Sequence, residues 1–194
     1  MTAVTSPAPG RLNSSILAGF IADPVHQRKL LNGEILLKTR SHSDWGGAVT
    51  AQMYLPLERS AVWQQLVNYP RWVQYFPALT QSQILSAPSL ASSGCYKRLY
   101  QAASKSFLFL TAQVEIYLRV FEIIHHQIQF RFESGSFTDF AADLMLQDHG
   151  QGTLLTYSVQ ATPLIPVPSI LIQQAIQLDL PENMRQMRRV LCQQ

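Results

Sequence analysis

The chain has 194 residues, of which 47% are hydrophobic and 14% charged, with a formal net charge of +3. This excludes a disordered chain and leaves enough length for one buried core plus some extra sequence. The basic residues are scattered apart from Arg185, Arg188 and Arg189, so the concentrated positive face of a nucleic-acid reader is missing and no nucleic-acid partner is expected.

Two cysteines, Cys95 and Cys192, are fewer than a secreted disulfide framework uses and fit reduced thiols in a cytoplasmic protein. The N-terminus lacks the basic-then-apolar pattern of a signal peptide. The apolar piece 16–22 is far shorter than the ~20 residues that cross a bilayer.

In chain order, residues 1–13 are polar and proline-containing and predict a flexible tail. Asp23 before Pro24 is a helix start, and Asn32-Gly33 a stop, predicting a short helix over 24–31. Residues 34–40 read as a strand, interrupted at Trp45-Gly46-Gly47. Residues 48–55 alternate, with Val49, Ala51, Met53 and Leu55 on one face. Pro56 predicts the start of a helix carrying Leu57, Ala61, Val62, Leu66 and Val67 at helical spacing; a second short helix spans 69–76. Residues 79–85 read as a strand and 87–94 as a loop.

A strand over 96–102 and four more follow, over 107–121, 127–133, 137–147 and 153–162, with turns at 122–126, 134–136 and 149–152. Their alternation (Val114, Ile116, Leu118; Ile128, Phe130, Phe132; Phe140, Ala142, Leu144; Leu155, Tyr157, Val159) predicts an antiparallel sheet with one face packed and one wet. After Pro163, Pro166 and Pro168, a helix over about 169–191 carries a stripe of Ile172, Ala175, Ile176, Asp179, Leu180, Asn183, Met184, Met187 and Leu191, with an expected kink at Pro181. A sheet ending in one long helix must bury a helix face against a sheet face.

The order of these pieces, with the strings AVTAQMYLPLERSAVWQQLVNYPRWVQYFP, YKRLYQ, FESGSFTDFAADLML, GTLLTYSV and LPENMRQMR, resembles the START-like helix-grip (SRPBCC) superfamily. The branch it is most similar to is the polyketide cyclase/dehydrase and lipid-transport group, which includes coenzyme-Q-binding proteins. The resemblance covers roughly residues 46–191. It implies an α+β fold in which a curved antiparallel sheet of about seven strands wraps a long C-terminal helix, with two short helices after the first strand. Residues 1–45 are then a tail, short helix and strand extension, and 46–194 a ligand-binding domain. The implied function is binding or carriage of a hydrophobic small molecule (a lipid, isoprenoid quinone or polyketide-like compound) between sheet and helix, with a cyclase or aromatase in the same cavity as the alternative. The family has no universal catalytic set, so no catalytic residue, cofactor or metal site is carried over.

The residues themselves agree with that caution. No nucleophile elbow, P-loop, H-E-x-x-H or C-x-x-C is present, and His125-His126 in an extended turn would point apart. The cavity-lining candidates are Arg98, Tyr100, Val114, Ile116, Phe130, Phe132, Phe140, Leu144, Tyr157, Val159, Ile172, Ile176 and Met184. Tyr157 would offer its hydroxyl to a ligand carbonyl, or else to backbone or water in a filled core. Arg98 would meet an anionic head group, unless a one-residue register slip turns it to solvent. Asp179 either pairs with an arginine or is turned outward by the kink. Asp139 and Asp143 share a polar strand face and are expected to be exposed. The 16–22 patch and the terminal arginines leave a transient membrane-surface contact open; the oligomeric state is not readable from the residues.

Overall fold

A computed structural model describes residues 23–40, 42–91, 94–107, 110–165 and 175–193. Helix α1 (Pro24–Leu31) starts where Asp23 accepts a 2.9 Å hydrogen bond from the Val25 amide, and the chain leaves it through Gly33 at φ +86°. Strands β1 (Leu36–Arg40) and β2 (Gly47–Leu55) follow, then α2 (Arg59–Leu66), a 3-10 turn (Tyr69–Arg71) and α3 (Trp72–Tyr75). The remaining strands are β3 (Leu79–Ala91), β4 (Gly94–Phe107), β5 (Leu110–Ile123), β6 (Gln127–Gly135), β7 (Phe137–His149) and β8 (Gly152–Pro163). A π-helical turn (Ala175–Asp179) runs into α4 (Leu180–Cys192).

All eight strands form one antiparallel sheet in the order β1-β2-β8-β7-β6-β5-β4-β3. The β2–β8 pairing, with Met53 opposite Leu155, joins the start of the sheet to its end. Bulges in β3, β5 and β7 break the register and bend those strands. Alternation sends Ala51, Met53, Leu55, Leu118, Val120, Ile128, Phe130, Leu144 and Leu155 to one inner face, and these residues share a single core cluster with Leu180, Met184, Met187 and Leu191 of α4. Two side chains fix α4 from outside that stripe. Gln65 donates to the Leu191 carbonyl at 3.1 Å, satisfying a free C-terminal acceptor, and Arg188 donates to the Gly33 carbonyl at 2.6 Å, tying α4 to the turn after α1.

The sheet of about seven strands is present, and the expected strand extension adds an eighth at its edge, where 36–40 pairs with β2. Several expectations need correction. Residues 87–91, expected as a loop, continue β3: Ser89, Leu90 and Ala91 pair with Tyr96, Cys95 and Gly94. Pro88 sits at a register shift on this edge strand, where a missing amide costs little. Helix α2 begins at Arg59 and not at Pro56, since the Leu57 carbonyl is held by the Thr153 hydroxyl at 2.7 Å. Pro181 does not kink a helix interior. It occupies the first turn of α4, where no amide hydrogen is required, and the irregularity falls just before it as the π turn. Residues 169–174 of the expected helix, Ile172 among them, lie outside the described residues, as do 1–22. Among the described residues, no helix is long and apolar enough to cross a membrane.

Met184 is fully buried while Arg185 beside it is exposed and pairs with the exposed Glu182. Met184→Ala should therefore cost about 2–5 kcal/mol of unfolding free energy, and Arg185→Ala less than about 0.5, in denaturant titrations. Equal effects would mean that α4 is not seated on the sheet.

Candidate functional site

The inner face is not filled everywhere. Toward one end of the sheet, β5 contributes Val114 and Ile116, β7 contributes Phe137 and Phe140, and β8 contributes Tyr157. Opposite them stand Trp72 and Phe76, four residues apart on and just after α3, and Asn183 on α4. Between these walls is a cavity of about 230 Å³, closed along its β3–β4 side by Leu79, Gln101 and Ala103.

Phe137 reaches the cavity because of the β6–β7 turn. Gly135, at φ +132°, passes so close to β5 that an added Cβ would lie 2.3 Å from the Glu115 carbonyl oxygen. The next residue locks the approach: the Ser136 amide donates to the Glu115 carbonyl at 2.9 Å, and the Ser136 hydroxyl accepts from the Glu115 amide at 3.1 Å. The Leu164 amide then donates to the Ser136 carbonyl at 3.0 Å. Only glycine tolerates that conformation and that distance.

The polar content of the cavity is small. The Tyr157 side chain is 8% exposed, with its ring 6.1 Å from that of Phe76. Its hydroxyl makes no hydrogen bond to another described residue, and burial pushes the phenol pKa well above its ordinary value. Gln101 donates to the Ser82 hydroxyl at 3.2 Å, which donates in turn to the Tyr69 carbonyl at 2.7 Å, so that amide is oriented from behind. Glu115 borders the cavity, but its carboxylate turns to the outer face of the sheet, where it accepts from the Tyr100 hydroxyl at 3.3 Å.

Of the sequence candidates, Val114, Ile116, Phe140 and Tyr157 meet at this cavity. Phe130, Phe132, Leu144, Val159 and Met184 belong to the same inner core but pack beyond its walls; Phe130 lies edge-on to Trp72 at 5.0 Å. Ile176 falls in the π turn, and its side chain is outside the described ones, as is Ile172 entirely. Arg98 and Tyr100 are corrections. Leu99 and Gln101 face inward, opposite Leu118 and Ile116, which turns Arg98 and Tyr100 to the outer face. There Arg98 pairs with Glu133 at 2.9 Å and Tyr100 packs on Tyr117. Asp143 is a second correction: it is buried, and Arg131 reaches it from the neighbouring strand at 2.8 Å.

Trp72, Phe76, Phe137, Gln101 and Asn183 were not singled out by sequence. The signal for Trp72 and Phe76 was their i, i+4 spacing; for Asn183 it was an amide inside an apolar stripe. On the same inner side, Lys97 donates to Glu122 at 2.6 Å, and the Tyr69 hydroxyl bonds the same carboxylate. His125 lies edge-on to Trp63 and His126 meets Arg59, so the histidine pair is divided between two neighbours; among the described residues no three metal-ligating side chains cluster. Cys192 carries a free thiol.

No family model matches the sequence, and no curated protein does. Solved structures do match in fold. A START superfamily protein from Mycobacterium smegmatis has a TM-score of 0.58 at 15% identity, over 72% of this chain and 92% of that one. A STAR-related lipid transfer protein from Xanthomonas axonopodis gives 0.57 at 14% identity, over 81% and 99%. The Zhui aromatase/cyclase from Streptomyces sp. R1128 gives 0.57 at 10% identity, over 75% and 93%. The chain therefore has the START-like helix-grip fold.

Tyr69 is also fully buried, and its phenol is raised by burial first and by Glu122 second. The unfolded chain titrates its phenols near 10.0, so stability from Tyr69 and Tyr157 is complete below that pH and is lost as pH rises toward their folded values. An ultraviolet phenolate titration should show these two tyrosines ionising only together with alkaline unfolding. Full phenolate amplitude in a still-folded protein would contradict their burial.

Proposed function

We propose that this protein binds and carries a hydrophobic small molecule in the cavity between the sheet and α4. The observation that carries this reading is an apolar, partly open space of about 230 Å³, walled by Trp72, Phe76, Ile116 and Phe140, with one buried phenol facing it. Burying about 200 Å² of a ligand's apolar surface there is worth about 5 kcal/mol, and a few polar groups then set orientation. The START-like fold supports the reading, since the neighbours of known structure include one whose name is lipid transfer.

A second reading, a cyclase or aromatase acting in the same space, draws on the neighbour of that name and on Tyr157 as a proton donor. The phenol's raised pKa weighs against it, because a general acid works best when its pKa lies near the working pH.

Solvent extraction and native mass spectrometry of the purified protein should recover a co-purifying apolar molecule. Val114 is half-buried in the cavity wall and away from α4. Val114→Trp should fill the space and weaken binding of an apolar probe at least about tenfold, with unfolding free energy changed by no more than ~1–3 kcal/mol. Undiminished binding in a folded Val114→Trp protein would place the ligand elsewhere.

A further inference from the structure

The two edges of the sheet are finished differently. β1 is five residues long and puts Lys38, Thr39 and Arg40 at the surface. Shortness and cations both discourage another strand from pairing with an edge. β3, the opposite edge, is thirteen residues long (LTQSQILSAPSLA) and contains no charged residue. An antiparallel edge strand turns every second residue's amide and carbonyl away from its one neighbour. Among the described residues, no backbone hydrogen bond from outside the β3–β4 ladder reaches β3 beyond Leu79.

The second half of β3 carries its own protection, since register shifts on both sides of Ser86, together with Pro88, break up the edge. The first half lacks it. Gln81 to Ile84 pair with Ala102 to Leu99 in unbroken register. Ser82 holds this stretch from the inner face, where it is buried and donates to the Tyr69 carbonyl at 2.7 Å. Ile84 shares that face, opposite Leu99, yet is 44% exposed, and Leu85 at the next shift is 45% exposed. An anchored, uncharged segment thus offers both backbone hydrogen bonds and apolar side chains to solvent.

A second copy of this chain fits that edge. A two-fold axis normal to the sheet at Ile84 sets two β3 strands antiparallel, with Ile84 of one copy against Ile84 of the other. No like charges meet across the pair, because the strand has none. Pairing an edge with itself also closes after two copies. Pairing β3 with the β1 edge of another copy would instead leave a free edge at each end and grow, and the cations of β1 oppose it.

We propose that the chain forms a two-fold dimer by antiparallel pairing of β3 with β3 over residues 81–85, which makes one continuous sheet across both copies.

Sedimentation velocity of the full chain over about 2–200 μM tests this, since a contact along so few residues is smaller than a permanent interface. The wild-type mass should rise from one chain to two across the range and stop there. Ile84→Lys sets a charge against its own image at the axis and should raise the dimer dissociation constant at least about tenfold. Ile124→Lys alters a more exposed isoleucine in the β5–β6 turn and should leave that constant within about twofold. Amide hydrogen exchange over residues 81–85 of the wild-type protein should slow at the high end of the range, which locates the contact even if Ile84→Lys does not fold. A wild-type protein that stays monomeric at about 200 μM overturns the proposal. Dimerisation of folded Ile84→Lys as tight as wild type, its loss in Ile124→Lys, growth past two copies, or unchanged exchange over 81–85 each overturns it as well.

Discussion

The structure depends on one mismatch of dimensions. Strict alternation along eight antiparallel strands produces a single apolar face, roughly 34 Å across at the usual strand spacing, that must be taken out of water. Among the described residues the helix that covers it runs through the π turn and α4 over 175–192, with a body about 10 Å wide. One rod cannot cover such a face. The remaining area is covered by aromatic side chains from the 3-10 turn and α3, where Tyr69, Trp72 and Tyr75 are all buried, and where Trp72 packs against Phe76 at 5.7 Å. Rigid rings set at angles to one another do not tile a bent sheet completely. The cavity is the space left where α3, α4 and the β5–β7–β8 wall fail to meet.

What keeps that space from collapsing is the rigidity of its rim. Gly135 and Ser136 fasten the β6–β7 turn to β5 on one side and to the end of β8 on the other, so Phe137 is held at the rim by backbone hydrogen bonds. Two charged pairs near the sheet are settled with several partners. Arg131 donates to two main-chain carbonyls and to Asp143 near the point where the β6–β7 ladder stops, and Lys97 shares Glu122 with Tyr69. A buried charge left alone would be costly, whereas these pairs are satisfied on several sides. Tyr157 is the contrasting case: it is neutral, mostly buried and part of the wall of the empty space.

The sequence carried the architecture because period-2 alternation is unambiguous where only one face is apolar. Val49, Ala51, Met53 and Leu55, or Ile128, Phe130 and Leu144, could not have been assigned to the wrong side. β4 was ambiguous for a physical reason. Tyr96, Arg98 and Tyr100 on one face and Lys97, Leu99 and Gln101 on the other each mix a cation with large side chains, so composition does not choose between them. The choice is made by cross-strand pairing with Leu118 and Ile116, a non-local fact. The burial of Asp143 was hidden for the same reason, since its partner Arg131 is on another strand. Phe137 at the cavity depends on a turn geometry that the string Ser134-Gly135-Ser136 suggests only as a turn. Phe130, Leu144 and Met184 look like cavity residues in sequence because core and cavity walls use the same side chains; only the placement of Trp72 and Asn183 tells them apart.

A helix-grip cavity that is real should accept an inert apolar atom without any help from hydrogen bonds, as dry apolar cavities do. Crystals of the protein pressurised with xenon test this most directly. The account predicts xenon density bounded by Trp72, Ile116, Phe140 and Tyr157, with α4 seated on the sheet. No density there, with those four side chains in mutual contact, would contradict it.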